Sequence, residues 1–386
     1  MTRKKRKEVV QLQGLRLLEP ARRLLLRLHS VGTERDKAKN RKLFFDQYIA
    51  LLLLYFFTPT LTSLRGLQQA SNWEQTKRKL GLSRASLGSL SEAAGVFDAK
   101  YLRAVVQELA CQALPLTKGR EAEALRGLTA VDGTFFAALP QMAWALWRTE
   151  SPERGVKLHL HFDVLKGVPC DATLTPAACS EQAQLKATLQ PERLYVLDRG
   201  YAGYELFAAI RSAGSSLIAR VKDNTAFVVK EERLLDDEAR QAGIVRDVVI
   251  SRLGTAHHKN HFPGQALRLV VVKTETRNGP NELWLLTDRL DLSPALVALA
   301  YRHRWSVELF FRWLKCVLGT RHFVSQQENG VALQMYAAMI VSLLITFHTG
   351  RKPTKRTFEI IQFYLVGWVS DEEFDAHLAS LKKIES

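Results

Sequence analysis

Residues 193–221, RLYVLDRGYAGYELFAAIRSAGSSLIARV, decide the fold class of this 386-residue chain. The apolar run that ends at Asp198 predicts a short buried strand, YELFAAIRSAG predicts a helix, and SLIARV predicts a second strand. Upstream, residues 128–139 predict a strand interrupted by Asp132, and residues 157–164 alternate polar and apolar side chains as a strand does. Strands mixed with a connecting helix in this way indicate a mixed α/β sheet.

The regions around this sheet divide the chain into three predicted parts. Residues 1–120 carry leucines at helical spacing and are expected to form a basic, helical, DNA-binding region. Residues 121–330 are expected to form a catalytic domain, with a β-rich insertion at about 222–290 that contains four strand-like runs. Residues 331–386 are again predicted to be helical. The apolar run at 48–57 is shorter than the roughly 20 residues needed to span a bilayer, so it predicts a buried helix.

The chain is strongly basic, with 55 Lys and Arg against 39 Asp and Glu and a formal net charge of +16. The first 42 residues hold 14 of the basic and 4 of the acidic side chains. Such an excess attracts a polyanion, because neutralised phosphates release their counterions. An anionic membrane surface is the competing partner, which charge alone does not exclude. With no secretory signal recognisable at the start, we expect a cytoplasmic, nucleoid-associated protein that binds DNA and not membrane.

A long helix is predicted over residues 294–319, and four polar side chains fall on one narrow stripe of it. Tyr301, Arg304, Glu308 and Lys315 are separated by three, four and seven residues. A carboxylate placed among cations and a phenol suits a surface that faces metal and phosphate. On the stripe alone, the alternative is an exposed helix face in which Arg304 and Glu308 form an ordinary ion pair.

Two aspartates each follow an apolar strand segment, where a carboxylate costs free energy unless it is paired or bound to metal. Gly133 directly follows Asp132, and Gly200 comes soon after Asp198, so a substrate backbone can approach closely. Either aspartate alone could cap a turn or a helix. Together with Glu308 they supply the hard oxygen ligands that Mg²⁺ prefers, and two cations held in this way can promote attack on a phosphodiester. The residues therefore predict a metal-dependent phosphoryl-transfer site.

The stretch YRHRWSVELFFRWLK at 301–315 resembles the third signature motif of the DDE transposases of bacterial insertion sequences, in the branch typified by insertion sequence four. VDGT around Asp132 resembles the first acidic motif of that family, and LDRGYAGYELF around Asp198 resembles the second. The resemblance implies a ribonuclease-H-like core flanked by helical regions. It implies that Asp132, Asp198 and Glu308 are the catalytic metal ligands, for Mg²⁺ with Mn²⁺ as a substitute.

The resemblance also implies an activity and its partners. Tyr301, Arg304 and Lys315 would contact double-stranded DNA near the transferred end. The protein would bind terminal inverted repeats as a homodimer in a synaptic complex, cleave the DNA, and transfer the 3′-hydroxyl end to target DNA, with a hairpin as a common intermediate. A flipped base stacked on an aromatic residue of the insertion would help a hairpin to form. Trp284 is available there, although it also fits the core of a strand.

Other functions compatible with the sequence are a stand-alone nuclease of the same fold, a non-catalytic DNA-binding regulator or relic of a transposase, and a membrane-surface protein. Arg199 is a further candidate phosphate contact, with a structural salt bridge as its alternative. His159, His161 and Asp163 lie on one strand face, where packing is favoured over a zinc site. The histidines in the polar turn at 257–261 are expected near solvent or DNA, and the aromatic residues at 305–313 are expected to bury their helix against the sheet.

Overall fold

The computed structural model describes residues 15–319 and 323–383, apart from 38, 40, 75, 78–80, 82–83, 138–141, 143, 145–154, 256–265 and 277–278. The principal helices are α1 (Leu15–Leu26), α2 (Phe45–Phe57), α3 (Leu64–Asn72), α4 (Leu87–Val96), α5 (Ala99–Gln112), α6 (Arg120–Ala124), α7 (Glu181–Ala187), α8 (Tyr204–Ser212), α9 (Asp237–Gln241), α10 (Pro294–His303), α11 (Trp305–Gly319), α12 (Glu328–Thr349), α13 (Lys355–Leu365) and α14 (Asp371–Lys383). The strands are β1 (Leu128–Ala137), β2 (Gly155–Asp163), β3 (Val168–Pro176), β4 (Leu194–Leu197), β5 (Ser216–Val221), β6 (Phe227–Glu232), β7 (Ile244–Leu253), β8 (Leu267–Thr276) and β9 (Gly279–Thr287).

The chain divides into two compact units, residues 1–109 with 313–386 and residues 110–312. The domain boundaries expected at 120/121 and 330/331 stay predictions. The first unit is helical and is built around α12, which packs against α1, α2 and α4. Among the described helices α12 alone is long and apolar enough to cross a membrane, and almost all of it is buried in this unit. The buried helix predicted at 48–57 is confirmed as part of α2.

A nine-stranded sheet in the order β3-β2-β1-β4-β5-β9-β8-β7-β6 organises the second unit. β1, β4 and β5 are parallel, whereas β2 and β3 run as an antiparallel meander from β1. This arrangement confirms the predicted α/β class with its ribonuclease-H-like mixed sheet. The β-rich insertion is confirmed as β6–β9, and it joins the sheet by antiparallel pairing of β9 with β5.

The carboxyl ends of the parallel strands position the acidic residues. Ala130 of β1 pairs with Val196 of β4, so Asp132 and Asp198 each come two residues later on adjacent strands. Leu197 pairs in turn with Ala219 of β5, which puts Arg220 next to Asp198 along the same edge. The strand register alone therefore sets Asp132, Asp198 and Arg220 side by side along three neighbouring parallel strands.

The helix predicted over residues 294–319 is interrupted, and this expectation was wrong. The structure has two helices, α10 and α11, with a turn at Arg304 between them. The Arg304 amide donates to the Tyr301 carbonyl, and the Arg304 carbonyl accepts from the Val307 amide, so both bonds span three residues instead of four. The tight turn interrupts the helix by one residue. Arg304 nevertheless keeps α-helical backbone angles and contacts both Tyr301 and Glu308, so these three members of the predicted stripe stay together.

Candidate active site

Each aspartate is fixed by a backbone amide that follows it in the chain, which belongs to the next residue of β1 for Asp132 and to the turn after β4 for Asp198. Asp132 Oδ1 accepts a hydrogen bond from the Gly133 amide at 2.8 Å, and Asp198 Oδ1 accepts one from the Gly200 amide at 2.8 Å. Asp198 thereby caps the short 3₁₀ turn at 199–201, so its predicted place at the end of a strand is confirmed. One oxygen of each carboxylate is thus committed to the backbone, which orients the other.

Arg304 links the helical glutamate to the first aspartate. Its Nη2 lies 2.7 Å from Glu308 Oε1, and its Nη1 lies 3.9 Å from Asp132 Oδ2. The Arg304 guanidinium is largely buried. The Glu308 side chain is more exposed to solvent than the side chains of Arg304 and Asp132. The ordinary ion pair that the sequence left open is therefore present, but it forms beside the aspartates and not on an exposed helix face.

The electrostatics of the site are dominated by the burial of Asp132. Burial raises the pKa of this carboxyl to about 6, and the nearby negative charges of Asp198 and Glu181 add to the effect. The Gly133 amide and the Arg304 guanidinium oppose it. A carboxyl with a raised pKa resists ionisation, so Asp132 gains from any additional cation placed beside it.

The donor set has the right chemistry for a hard divalent cation, since it offers carboxylate oxygens at the carboxyl ends of two buried strands. Within the described part of the chain, no group of three or more His, Cys, Asp or Glu side chains is arranged as a ready metal site. The hydrogen bond from Arg304 directs Glu308 Oε1 towards the guanidinium. The other oxygen of Glu308, Oε2, is not engaged by that bond.

The predicted DNA contacts are distributed between the two units. Tyr301 and Arg304 lie together in the second unit, with the guanidinium carbon 5.9 Å from the phenol ring centroid. Arg199 is exposed, and the salt bridge considered for it does not occur among the described residues. Lys315 is exposed on the part of α11 that belongs to the first unit. Sequence reasoning missed Arg220, which is half-buried at the sheet edge and close enough to Tyr301 to influence its pKa.

A cavity of about 380 Å³ lies between the insertion and the start of α11. This insertion pocket is lined on its apolar side by Val272, Leu283 and Leu285, and on its polar side by cations and by Tyr301 and Trp305. The expectation that Trp305 buries its helix against the sheet was wrong, because 53% of its surface is exposed. Phe310 is buried beside Phe162 of β2, as expected, whereas the buried Trp313 packs edge-on against Phe358 of the helical unit.

Trp284, the aromatic residue first considered for base stacking, lies elsewhere. Strand alternation turns it away from Leu283 and Leu285 and onto the core cluster around Leu286. Its ring meets Phe227 edge-on, with 5.8 Å between centroids. The strand-core interpretation of Trp284 therefore fits the structure, and Trp305 is the tryptophan that lines the pocket.

The strand face considered for zinc is a packed interior. His159 Nε2 lies 2.8 Å from Thr175 Oγ1, and His161 Nε2 lies 3.1 Å from Thr188 Oγ1. Asp163 accepts from the Lys166 amide and pairs with an arginine. These contacts agree with packing as the favoured interpretation. The histidines at 257–261 lie outside the described residues.

The buried His159 is expected to make the native protein less stable as the pH falls. Burial first, and then the charges of Lys157 and His161, lower its pKa to about 4, against about 6.5 in an unfolded chain. Between these values the unfolded chain binds a proton that the native protein does not, so stability is lost as the pH falls below 6.5. Urea unfolding at pH 6.5 and at pH 4.5 measures how much free energy of unfolding each protein loses on acidification. The loss should be about 2 kcal/mol smaller for His159→Gln than for the parent. Equal losses in the two proteins would contradict this assignment.

The central part of the chain is similar to known proteins. Residues 123–344 match the family model described as "Transposase DDE domain". The chain is 30% identical over 229 residues to "Putative transposase y4zB" of Sinorhizobium fredii, covering 58% of this chain and 61% of that protein. It is 25% identical over 225 residues to "Probable transposase for insertion sequence element IS5377" of Geobacillus stearothermophilus, covering 58% and 57%. The matched region thus spans about three fifths of these curated relatives.

A solved structure was also matched to the chain. It is the piggyBac transposase synaptic complex with hairpin DNA, which has a TM-score of 0.45 and 11% sequence identity. The similarity covers 94% of this chain and 81% of that one.

Proposed function

This chain belongs to the Transposase DDE domain family, and on that premise we propose that it binds the terminal inverted repeats of an insertion sequence, cleaves the DNA there and joins the freed 3′-hydroxyl to target DNA. The observation that supports this function most is the contact of Arg304 with Glu308 and its approach to Asp132, next to which the strand register sets Asp198. Phosphoryl transfer depends mainly on positioning and on electrostatic stabilisation, and both can come from such a set.

The three carboxylates are the proposed ligands of two Mg²⁺ ions, with Mn²⁺ able to substitute. When bound, such ions activate the attacking oxygen and stabilise the leaving oxygen of a phosphodiester. Arg304 neutralises part of the carboxylate charge, because it hydrogen-bonds Glu308 and lies near Asp132. A guanidinium can exchange a carboxylate for a phosphate oxygen without losing its fork of donors. Arg304 is therefore the proposed contact to the phosphate at the cleavage site.

The remaining DNA contacts are proposed for Tyr301, Lys315 and Arg199, and Arg220 joins them. Arg220 stands beside Asp198 by strand register and close to Tyr301, which places a second arginine at the same sheet edge as the carboxylates. Cations that contact phosphates fix the register of a DNA strand and carry no sequence information directly. Recognition of the end sequence is therefore assigned to other surfaces of the protein, such as the basic helical region.

The insertion pocket supports a hairpin step. It combines an apolar side, an exposed tryptophan and three cations, Lys273, Arg302 and Arg304. A nucleobase turned out of the duplex needs an apolar or aromatic surface on which to stack, and its phosphate needs nearby positive charge. Trp305 directly follows Arg304 in the chain, so a base stacked there would be joined to a phosphate near the carboxylates.

Trp305→Ala is expected to reduce hairpin formation by roughly 5- to 100-fold, the loss that corresponds to about 1–3 kcal/mol of base stacking. The first nick should change little, because the carboxylates are intact. Both products can be followed on a denaturing gel with DNA that carries one transposon end. Trp368→Ala, which alters an exposed tryptophan of the helical unit, is the matched control. Equal loss of nicks and hairpins in Trp305→Ala would remove the pocket from the hairpin step.

The proposed partners follow from the same function. A synaptic complex pairs two transposon ends, so the proposed assembly on DNA is a homodimer. The formal net charge of +16 favours association with the nucleoid in the cytoplasm.

The proposed function is tested with DNA that carries the inverted repeats flanking this gene, incubated with the protein in Mg²⁺, in Mn²⁺ and in EDTA. End-specific nicks followed by hairpins or joined products, all absent in EDTA, are the expected result. Hydrolysed ends without any joined product would favour a nuclease of the same fold. Binding without cleavage in either metal would overturn the catalytic assignment and favour a regulator.

A further inference from the structure

A fourth carboxylate, Glu181, reaches the site from the opposite side of Asp132. It is the first residue of α7, directly after the helix-capping Ser180. A Cβ atom built on Gly133, the residue next to Asp132, would lie 2.8 Å from Glu181 Oε1. The glutamate oxygen therefore packs on the backbone of the first acidic motif, in space that any side chain at position 133 would occupy. A side chain at position 133 would therefore displace the Glu181 carboxylate.

Glu181 is held there by neighbouring groups. Its Oε1 lies 3.3 Å from Lys157 Nζ, and that ammonium also reaches the Cys179 carbonyl at 3.5 Å. The next residue, Gln182, donates from Nε2 to the Gly200 carbonyl at 2.9 Å, in the turn that Asp198 caps. The first two residues of α7 thus contact the β1 backbone next to Asp132 and the turn that Asp198 caps.

A second and independent feature is the hydroxyl of Tyr201. This side chain is only 1% exposed, and its oxygen has no hydrogen-bond partner among the described residues. The charges that surround it are those of Glu181, Asp132 and Asp198. A buried hydroxyl without a partner destabilises the native state, so its presence calls for an acceptor in some state of the site. The carboxylates whose charges act on this hydroxyl are therefore the candidate acceptors.

We propose that Glu181 is a further ligand of the metal-binding site, directly or through water, and that Tyr201 is a positioning residue whose hydroxyl hydrogen-bonds this carboxylate group when the site is loaded. The inference rests on the proposed function and deepens it, because it extends the family's three carboxylates to four in this chain. Carboxylate and water oxygens together meet the six-ligand demand of a hard divalent cation better than three side chains can alone.

The test measures Mn²⁺ binding to the full chain without DNA, by titration followed with electron paramagnetic resonance. Glu181→Gln is expected to weaken binding roughly 10- to 100-fold, the effect typical of groups that support a metal site. Its melting temperature in EDTA should stay close to that of the parent. Glu205→Gln is the matched control, because this exposed glutamate also pairs with a lysine at the start of a helix. Binding by Glu181→Gln within twofold of the parent would overturn the inference, and so would a parent that binds no Mn²⁺.

Tyr201→Phe separates a role in the loaded site from a role in packing. Removal of the hydroxyl alone should leave the melting temperature in EDTA unchanged or higher, because a buried donor without a partner is lost. Mn²⁺ affinity should nevertheless fall several-fold. A variant that binds Mn²⁺ as the parent does would remove Tyr201 from the proposal.

The outcome is distinguishable from failure of the proposed function. If the parent binds Mn²⁺ through Glu181 but cleaves no transposon end, the inference stands and the transposase function falls. If the parent cleaves and Asp132→Asn alone loses Mn²⁺ binding, the function stands and Glu181 is excluded from the site.

Discussion

Asp132→Asn is expected to lower the rate of DNA-end cleavage by more than about 10³-fold, a loss on the scale seen when one preorganised electrostatic group is removed from an active site. The same substitution is expected to stabilise the protein in EDTA at pH 7. Burial raises the pKa of Asp132 to about 6, so its ionised form is disfavoured in the native state. Asparagine removes that charge, and the gain should be on the order of 2 kcal/mol in the free energy of unfolding.

The pH dependence gives the sign of this effect. An unfolded aspartate ionises near pH 3.9, whereas the native Asp132 retains its proton up to about pH 6. Between these values the native state binds more protons, so the parent loses stability as the pH rises and the variant does not. The advantage of Asp132→Asn should therefore be present at pH 7 and disappear as the pH falls through 6 towards 4. Urea unfolding in EDTA across this range measures it.

Glu308→Gln should lose cleavage to a similar extent but change stability in the opposite direction. Glu308 is the close partner of the largely buried Arg304, so the substitution leaves that guanidinium without its 2.7 Å ion pair. A loss of about 1 kcal/mol is expected, since the glutamate is partly exposed. Asp237→Asn and Glu205→Gln, both at exposed positions, serve as controls that should keep full cleavage. Cleavage by Glu308→Gln at the rate of the parent would remove the metal assignment.

Asp132 and Asp198 could be placed from the sequence because their signal is local. Each carboxylate follows an apolar run, and such runs mark buried parallel strands, whose pairing stops after Ala130 in β1 and after Leu197 in β4. Arg220 could have been predicted in the same way, since it follows the largely apolar run SLIA in a buried strand parallel to the strand of Asp198. Arg220 lies outside the three sequence motifs, so only the strand register indicates it.

The break at Arg304 could not be predicted, for a different physical reason. The apolar periodicity of residues 294–319 continues without a proline or glycine near position 304. The interruption therefore comes from tertiary packing, which overrides local propensity. Trp305, the first residue after the turn, is exposed and lines the insertion pocket. The proposed role of Glu181 could not be predicted from the sequence either, because it depends on a tertiary contact between β1 and α7, the helix that follows β3.

A buried ion pair within the insertion should have the largest effect on stability. Arg268 donates from Nε and Nη2 to the two oxygens of Asp247, both at 2.7 Å, and the two side chains are 1% and 3% exposed. Arg268→Met leaves the carboxylate buried without its partner and is expected to cost about 3–5 kcal/mol. Urea unfolding measures it. Arg246→Met breaks a neighbouring pair with the exposed Glu232 and should cost no more than about 1 kcal/mol. Equal costs for the two variants would contradict the assignment.

The same arginine also connects the insertion to the active-site helices. Arg268 Nη1 donates to the Leu292 carbonyl, directly before Ser293, which caps α10 and so precedes Tyr301 and Arg304. Joint replacement by Asp247→Leu and Arg268→Met should recover much of the lost stability, because a packed apolar pair often matches a buried ion pair. It cannot restore the bond to Leu292. We therefore expect the double variant to fold stably and still cleave about 10- to 100-fold more slowly, since small misplacements of positioning residues are costly. Full recovery of cleavage would show that the pair serves stability alone.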